Sequence, residues 1–198
     1  MALSDKKFFL LDMDGTLYLD DDLFDGTIDF LSHVRESGGR YLFVTNNSSK
    51  GTDAYVAKLQ KLGIPAKEED FLTSTDATIL YLQTKFQGRK FYAMGTKSFV
   101  EQLKMAGINV VTDIEEGIFG LVISNDQELN FKKLEDACKL LLNDIEYIAT
   151  NPDLVCPTEY GSVPDCGSVC EMIYNATKKR PYVISKPQAA MPLIAMDM

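Results

Sequence analysis

The chain has 198 residues, of which 45% are hydrophobic and 25% charged, a composition typical of a soluble globular protein. Its formal net charge is −9 and it contains no block of Lys or Arg, so nucleic acid and anionic membranes are excluded as expected partners. No apolar stretch approaches the length of a membrane span and the first residues lack signal-peptide features, so we expect a cytoplasmic protein.

Short apolar runs alternate with amphipathic stretches of helical length in the first third of the chain. The run FFLL predicts a buried strand, and the segment DGTIDFLSHVRESGG predicts a helix that ends at Gly38. The run RYLFVT predicts a second strand, and the segment TDAYVAKLQKLG predicts a helix that ends at Gly63. The run FLTS follows as a third strand. This alternation is typical of a parallel sheet covered by helices.

The same alternation continues to the end of the chain. A helix over residues 75–86 precedes the strands RKFYAMG, FGLVIS and EYIAT, and a helix near residues 169–179 precedes the strand PYVIS. One open sheet with all of these strands would be crowded, so we predict two sheets, with the last strand returning to the first. The predicted fold is α/β: a doubly wound core of residues 1–77 and 182–198, with an inserted α/β domain over residues 78–181.

Polar side chains directly follow three of the apolar runs. They are two aspartates after the first strand, a Thr-Asn-Asn run after the second, and a lysine after PYVIS: Asp12, Asp14, Thr45, Asn46, Asn47 and Lys186. Because parallel strands end at one rim, where open α/β sheets bind ligands, we expect these side chains to form one site.

The chemistry of this set favours phosphoryl transfer. Two neighbouring aspartates repel each other and stay ionised only near positive charge. Mg²⁺ would neutralise them, since it binds through one or two carboxylates plus phosphate oxygens. A hydroxyl, an amide and a lysine suit the remaining phosphoryl oxygens. Phosphoryl transfer depends mainly on such positioning and neutralisation, and an aspartate can be its nucleophile.

The elements DMDGTLYLD, VTNNSS and SKP, in this order and with a segment inserted before the lysine, resemble the haloacid dehalogenase superfamily of phosphatases. The inserted segment, with ATNPD and PDCGS, resembles the type IIA cap of the NagD and p-nitrophenyl phosphatase branch. The resemblance covers essentially the whole chain. It implies an Mg²⁺-dependent enzyme that acts on small phosphorylated metabolites such as sugar phosphates, nucleotides, phosphoglycolate or aryl phosphates.

The resemblance also implies a role for each catalytic residue. Asp12 would be the nucleophile that forms an aspartyl-phosphate, and Asp14 would be the general acid and base. Lys186 would steady both the phosphate and the nucleophile. The Asp12 carboxylate and the Asp14 backbone carbonyl would hold the metal.

The candidate substrate-binding residues lie on two segments. Thr45 and Asn46 would bind the phosphoryl group, with Asn47 beside them. In the inserted domain, a loop predicted to face the core rim would contact the leaving group. Its candidate residues are Cys166, Gly167 and Ser168, and Asn151 and Asp153 on a neighbouring loop are further candidates.

Two departures from the family pattern leave alternatives open. Ser185 stands where this branch usually has Gly, which matters if that position needs a positive φ. The acidic Gly-Asp pair of the family is absent after the lysine. We therefore expect an incomplete core, a metal site one carboxylate short, and association between copies through an uncovered sheet side.

The first alternative function is a weakly active or inactive phosphate-binding relative, because of the missing acidic pair. The second is a receiver-type signalling domain, which also collects aspartates, a Thr and a Lys around Mg²⁺. In receivers, however, the phosphoacceptor ends the third strand, and FLTS carries no aspartate.

Overall fold

The structure, a computed structural model, describes residues 6–158, 160–188, 191, 194 and 195. The described strands are β1 Phe8–Leu11, β2 Tyr18–Leu19, β3 Asp22–Leu23, β4 Arg40–Thr45, β5 Phe71–Thr73, β6 Lys90–Met94, β7 Asn109–Val111, β8 Ile118–Ile123, β9 Glu146–Ala149, β10 Val155–Thr158, β11 Gly161–Pro164 and β12 Tyr182–Val183. The described helices are α1 Thr27–Glu36, α2 Thr52–Lys61, α3 Ser74–Lys85, α4 Lys97–Met105, α5 Phe131–Leu140 and α6 Cys166–Thr177. None of these helices has the length and apolar character needed to cross a membrane.

The first sheet is parallel and has the strand order β1-β4-β5. After Arg40, every residue of β4 is buried, as expected for a parallel strand covered on both faces. In β1, Phe8, Phe9 and Leu11 are partly buried and Leu10 is exposed, since this strand pairs with β4 on one side alone among the described residues. The prediction of a fully buried first strand was therefore wrong.

The helices of this half end where the sequence predicts. Gly38 and Gly63 both have positive φ, of 71° and 83°, which glycine adopts without strain. The backbone N–H that follows each glycine donates a hydrogen bond to a carbonyl near the end of the helix: Gly39 donates to Val34 O and Ile64 donates to Leu59 O. These two caps direct the chain back into β4 and towards β5.

The second sheet is also parallel and has the order β12-β9-β8-β6-β7. The prediction of two sheets is confirmed, and with it the α/β class. Two antiparallel ribbons, β2-β3 and β10-β11, complete the pairing among the described residues. β2-β3 directly follows the paired aspartates, and β10-β11 lies between β9 and α6.

The last strand lies in a different sheet from the one predicted. Tyr182–Val183 pairs in parallel with Ile148–Ala149 of β9, so it is an edge of the second sheet and does not return to the first. The pairing extends past the strand, since Ile184 N donates to Ala149 O and Ser185 N to Thr150 O. Hydrogen-bonding groups left open by β9 thus determine its position. The division into residues 1–77 with 182–198 and residues 78–181, and the incompleteness of the core, remain predictions.

The two sheets share one hydrophobic core. Leu42 and Val44 of the first sheet and Val122 and Ile148 of the second belong to a single cluster of buried side chains, which also contains Ile184. Ile184 is completely buried there, one residue after β12. The sheets are therefore joined by apolar packing as well as by the chain.

Because Ile184 packs in the shared cluster, we expect Ile184→Ala to destabilise both sheets together. The free energy of unfolding should fall by about 2–5 kcal/mol, the usual cost of truncating a buried isoleucine to alanine. Differential scanning calorimetry should show one transition that moves as a whole. The control, Met105→Ala at a residue 89% exposed, should leave it in place. Two transitions, with only one displaced, would contradict a shared core.

Candidate active site

The ends of β1 and β4 and the turn after β12 open into one cavity of about 390 Å³. All six residues predicted from the strand ends line it: Asp12, Asp14, Thr45, Asn46, Asn47 and Lys186. The second half of the chain adds the side chains of Asp153, Cys156 and Asp165. The six residues therefore meet at one cavity, as predicted, but Lys186 reaches it from the second sheet and not along the rim of the first.

Asp12 is paired with the predicted lysine. The Lys186 Nζ lies 2.9 Å from Asp12 Oδ1, and the same ammonium donates to Val44 O at 3.3 Å. The Asp12 side chain is 52% exposed, so solvent screens this pair and it adds little to stability. Its importance is geometric, since one carboxylate oxygen is held by the ammonium while the carboxylate stays open to the cavity.

Asp14 is paired with a lysine that sequence reasoning missed. The Lys58 Nζ, from α2, lies 3.5 Å from Asp14 Oδ1 and 4.0 Å from the centroid of the Tyr18 ring. Only the polar face of the predicted helix could have indicated Lys58, and that pattern does not distinguish it from a solvent-facing lysine. Each aspartate thus has its own positive partner.

Hydrogen bonds within the loop after β4 hold it in a tight turn. Thr45 Oγ1 accepts from Asn47 N at 3.1 Å. Asn47 Oδ1 accepts from the backbone N and the hydroxyl of Ser49, at 2.9 and 2.7 Å, in a turn typical of asparagine. The Asn47 carbonyl oxygen is therefore occupied inside the loop, although the residue lines the cavity.

Buried hydroxyls attach this loop to the second sheet. Ser48 Oγ accepts from Asn125 N at 3.0 Å and lies 2.9 Å from Thr150 Oγ1. Thr96 Oγ1 donates to Ser49 O at 3.2 Å. Buried hydrogen bonds of this kind resist rearrangement, because breaking them would leave polar groups unsatisfied. The loop is thus fixed from both halves of the chain.

The Asn46 side chain connects three segments at the cavity. Its Nδ2 donates to Asp153 Oδ2 at 2.9 Å and to Lys186 O at 3.1 Å. Its backbone oxygen accepts from Ser74 Oγ and from Asn151 Nδ2, at 2.6 and 2.7 Å. Asn46 Oδ1 is buried and has no hydrogen-bond partner among the described residues.

The segment Cys166 to Ser168 is not the rim loop that was predicted. Asp165 caps α6 by accepting from Cys166 N, so these residues form the first turn of the helix. Cys166 is completely buried, and the Ser168 hydroxyl donates to Leu154 O. None of the three residues from Cys166 to Ser168 lines the cavity. Asp153, a candidate on the neighbouring loop, does line the cavity, together with Cys156 and Asp165.

Burial changes the pKa values of two groups at the cavity, Cys156 and Asp165. It raises the pKa of the Cys156 thiol, and the charges of Asp165, Asp14 and Asp153 raise it further. Burial likewise raises the pKa of Asp165, with the charge of Asp153 as a smaller cause. Since the thiolate is the nucleophilic form of cysteine, Cys156 is a poor nucleophile here. Asp12, by contrast, is half exposed on the same cavity and is paired with Lys186.

Two further sequence expectations concern Ser185 and the metal site. Ser185 is not among the described residues with positive φ, so replacing the family's Gly causes no strain there. The described residues contain no group of three or more His, Cys, Asp or Glu side chains arranged to hold a metal. Asp12 and Asp14 contribute carboxylate oxygens at the cavity, and such oxygens suit a hard divalent cation completed by further oxygen ligands.

Comparison with known proteins identifies several that are similar. Residues 9–109 match the family of haloacid dehalogenase-like hydrolases. The chain is 32% identical over 192 residues to the acid sugar phosphatase of Staphylococcus aureus (strain USA300), covering 97% of this chain and 73% of that protein. It is 35% identical to the structure of a 4-nitrophenylphosphatase from Thermotoga maritima, with a TM-score of 0.92, covering 98% of this chain and 74% of that one.

A third similar protein is the glycerol phosphate phosphatase of Mycobacterium tuberculosis, whose structure was solved in complex with magnesium. The identity is 29% and the TM-score 0.90, covering 97% of this chain and 58% of that one.

Because Gly167 is packed against backbone, we expect Gly167→Ala to lower stability. An added Cβ would lie 2.2 Å from Pro152 O, closer than real Cβ contacts. The strain should cost about 1–3 kcal/mol of unfolding free energy, measured by urea denaturation. The exposed Asn175→Ala on the same helix should change it by less than about 0.5 kcal/mol. Equal stability of both variants would show that α6 can move away.

Proposed function

This chain belongs to the family of haloacid dehalogenase-like hydrolases, and we propose that it hydrolyses small phosphate monoesters through an aspartyl-phosphate on Asp12. The observation that supports this most is the arrangement at the cavity. Two aspartates lie side by side, each paired with its own lysine and each still open to the cavity. Their neighbours are hydroxyl and amide groups that suit phosphoryl oxygens.

In the first step, a carboxylate oxygen of Asp12 attacks phosphorus and the bond from phosphorus to the leaving oxygen breaks. Asp14 gives its proton to that oxygen, so an alcohol departs. In the second step, Asp14 takes a proton from water while the water oxygen attacks phosphorus. The bond to Asp12 breaks, and inorganic phosphate and the free carboxylate are produced.

Three neighbouring residues would hold the phosphoryl group during both steps. Lys186 contributes a positive charge beside Asp12. Thr45, whose hydroxyl already faces the tight loop, and Asn46 contribute hydrogen-bonding groups at the same cavity. The loop is attached to both sheets, which supports a site organised before substrate arrives.

Mg²⁺ is the proposed cofactor. The Asp12 carboxylate and the Asp14 backbone carbonyl would hold it, and an oxygen donor set with one or two carboxylates fits this ion. The similar glycerol phosphate phosphatase was solved with magnesium. When bound, the ion would neutralise charge on the phosphoryl oxygens.

The substrate is proposed to be small, because the cavity has a volume of about 390 Å³; Asp153, Cys156 and Pro157 line part of it. These residues belong to the proposed inserted domain of residues 78–181, so the leaving group would face them. The similar proteins described above are named as phosphatases of sugar, glycerol and 4-nitrophenyl phosphates. All three are small phosphate monoesters.

We expect Asp12→Asn to abolish turnover, because it keeps the shape of the side chain and removes the nucleophilic charge. Hydrolysis of 4-nitrophenyl phosphate with Mg²⁺ should fall roughly 10⁴- to 10⁶-fold, the order found when a nucleophile is removed. Asp22→Asn, an exposed aspartate of β3, is the matched control and should retain activity. Normal turnover by the Asp12→Asn protein would contradict the mechanism.

The contact from Asn46 to Asp153 predicts a second effect. Asp153→Ala should tighten binding of inorganic phosphate, because it removes a like charge from the cavity and frees the Asn46 amide. Removing the like charge corresponds to roughly 1 kcal/mol, or about fivefold in affinity. Titration calorimetry measures this, with the exposed Asp144→Ala as a control of equal charge change. Weaker binding would show that Asp153 supports the phosphoryl group.

A further inference from the structure

Lys58 differs from Lys61, the other lysine of its helix. Its ammonium lies 3.5 Å from Asp14 Oδ1 and 4.0 Å from the centroid of the Tyr18 ring. Only 30% of the side chain is exposed. Lys61, one turn later, pairs with Asp21 at 2.6 Å, and both of those side chains are more than 60% exposed. The two ion pairs thus differ in how firmly the lysine is held.

The face of the Tyr18 ring contacts the Lys58 ammonium and restricts its position. Tyr18 is completely buried, and the turn that leads to it is closed by a hydrogen bond from Gly15 N to Tyr18 O at 2.8 Å. Asp14 itself forms a β-bridge with Tyr18. The turn therefore places the ring and the carboxylate together, and attraction between the cation and the ring face adds to the ion pair.

The packing of α2 restricts the backbone position of Lys58. Tyr55 and Leu59, the neighbours of Lys58 on α2, are 4% and 0% exposed in the core of the first sheet. The backbone of Lys58 therefore cannot shift without disturbing that core. Pairs of freely exposed side chains contribute little because both partners must lose rotamer freedom. Here the core and the ring already restrict the lysine, so the entropy lost when the ion pair forms is mainly that of the Asp14 side chain.

We propose that Lys58 is a positioning residue that holds the Asp14 carboxylate in the orientation from which it exchanges protons with the leaving oxygen and with water. This inference rests on the proposed function, since it assigns Asp14 to those two transfers. The atoms that move are those already described, and Lys58 keeps its own protons throughout. A side chain misplaced by about 1 Å can cost on the order of 100-fold in rate.

This role predicts a dependence on the leaving group. An alkoxide needs a proton as it leaves, whereas 4-nitrophenolate is stable enough to leave without one. If Asp14 is misplaced, cleavage of an alkyl phosphate should slow at the first step. With 4-nitrophenyl phosphate the first step should persist and the second, which needs Asp14 to accept a proton from water, should slow. Phosphorylated Asp12 should then accumulate.

The decisive variant is Lys58→Met, which keeps the apolar stem and removes the ammonium. Its kcat for glycerol phosphate should fall roughly 10- to 100-fold with KM little changed. With 4-nitrophenyl phosphate it should show a burst of product, and mass spectrometry should find phosphoryl groups on Asp12. Lys58→Arg should restore much of the rate, and the neutral Lys58→Gln should behave like Lys58→Met. Lys61→Met, on the same helix, should match the unmodified chain.

A double mutant tests whether Lys58 acts through Asp14. In the Asp14→Asn background, adding Lys58→Met should cause no further loss, because the group that is positioned has already been replaced. The inference would be overturned if the two substitutions lowered the rate additively. It would also be overturned if Lys58→Met slowed both substrates equally and no phosphorylated Asp12 accumulated. An unmodified chain that is inactive with Mg²⁺, or one active without Asp12, would instead refute the proposed function, so the two failures are distinguishable.

Discussion

The repulsion between Asp12 and Asp14 is the constraint around which the site is built. Two carboxylates one residue apart, facing one cavity, need positive charge close by. The chain supplies it from two distant segments, since Lys186 follows the last described strand and Lys58 comes from the second helix. Neither lysine is near the aspartates in sequence. Packing of α2 against the first sheet brings Lys58 to Asp14, and the second half of the chain brings Lys186 to Asp12, which ties the chemistry of the site to the fold.

The loop after β4 shows how the two halves depend on each other. It begins in the first sheet, yet Ser48 and Ser49 form buried hydrogen bonds with Asn125, Thr150 and Thr96 from the second half. Losing these partners would leave buried hydroxyls and backbone groups unsatisfied. Together with the shared apolar cluster, they hold the cavity walls in one arrangement. Rigidity of this kind suits a reaction that depends on preorganised charge.

The wrong predictions have identifiable causes. The sequence predicts that PYVIS returns to the first sheet, but its two-residue strand pairs with β9 in the second. The sequence also predicts a loop from Cys166 to Ser168, but the side chain of Asp165 caps a helix that begins there. In both cases a local pattern was compatible with two structures, and a partner distant in sequence chose between them.

The sequence by itself determined the strand ends, the helix ends at glycine and the six polar residues that meet at the cavity. The helix ends and the residues after β1 and β4 follow from local rules, since the hydrophobic periodicity, the glycine caps and the shared rim of two parallel strands need no knowledge of the distant chain. Lys186 was predicted at the same cavity but reaches it from the second sheet. Only the tertiary structure decided that Lys58 pairs with Asp14, that Asn46 contacts Asp153 and that Cys156 reaches the cavity. Each depends on the packing of one element against another. Side-chain contacts across elements depend on distances that no sequence spacing encodes.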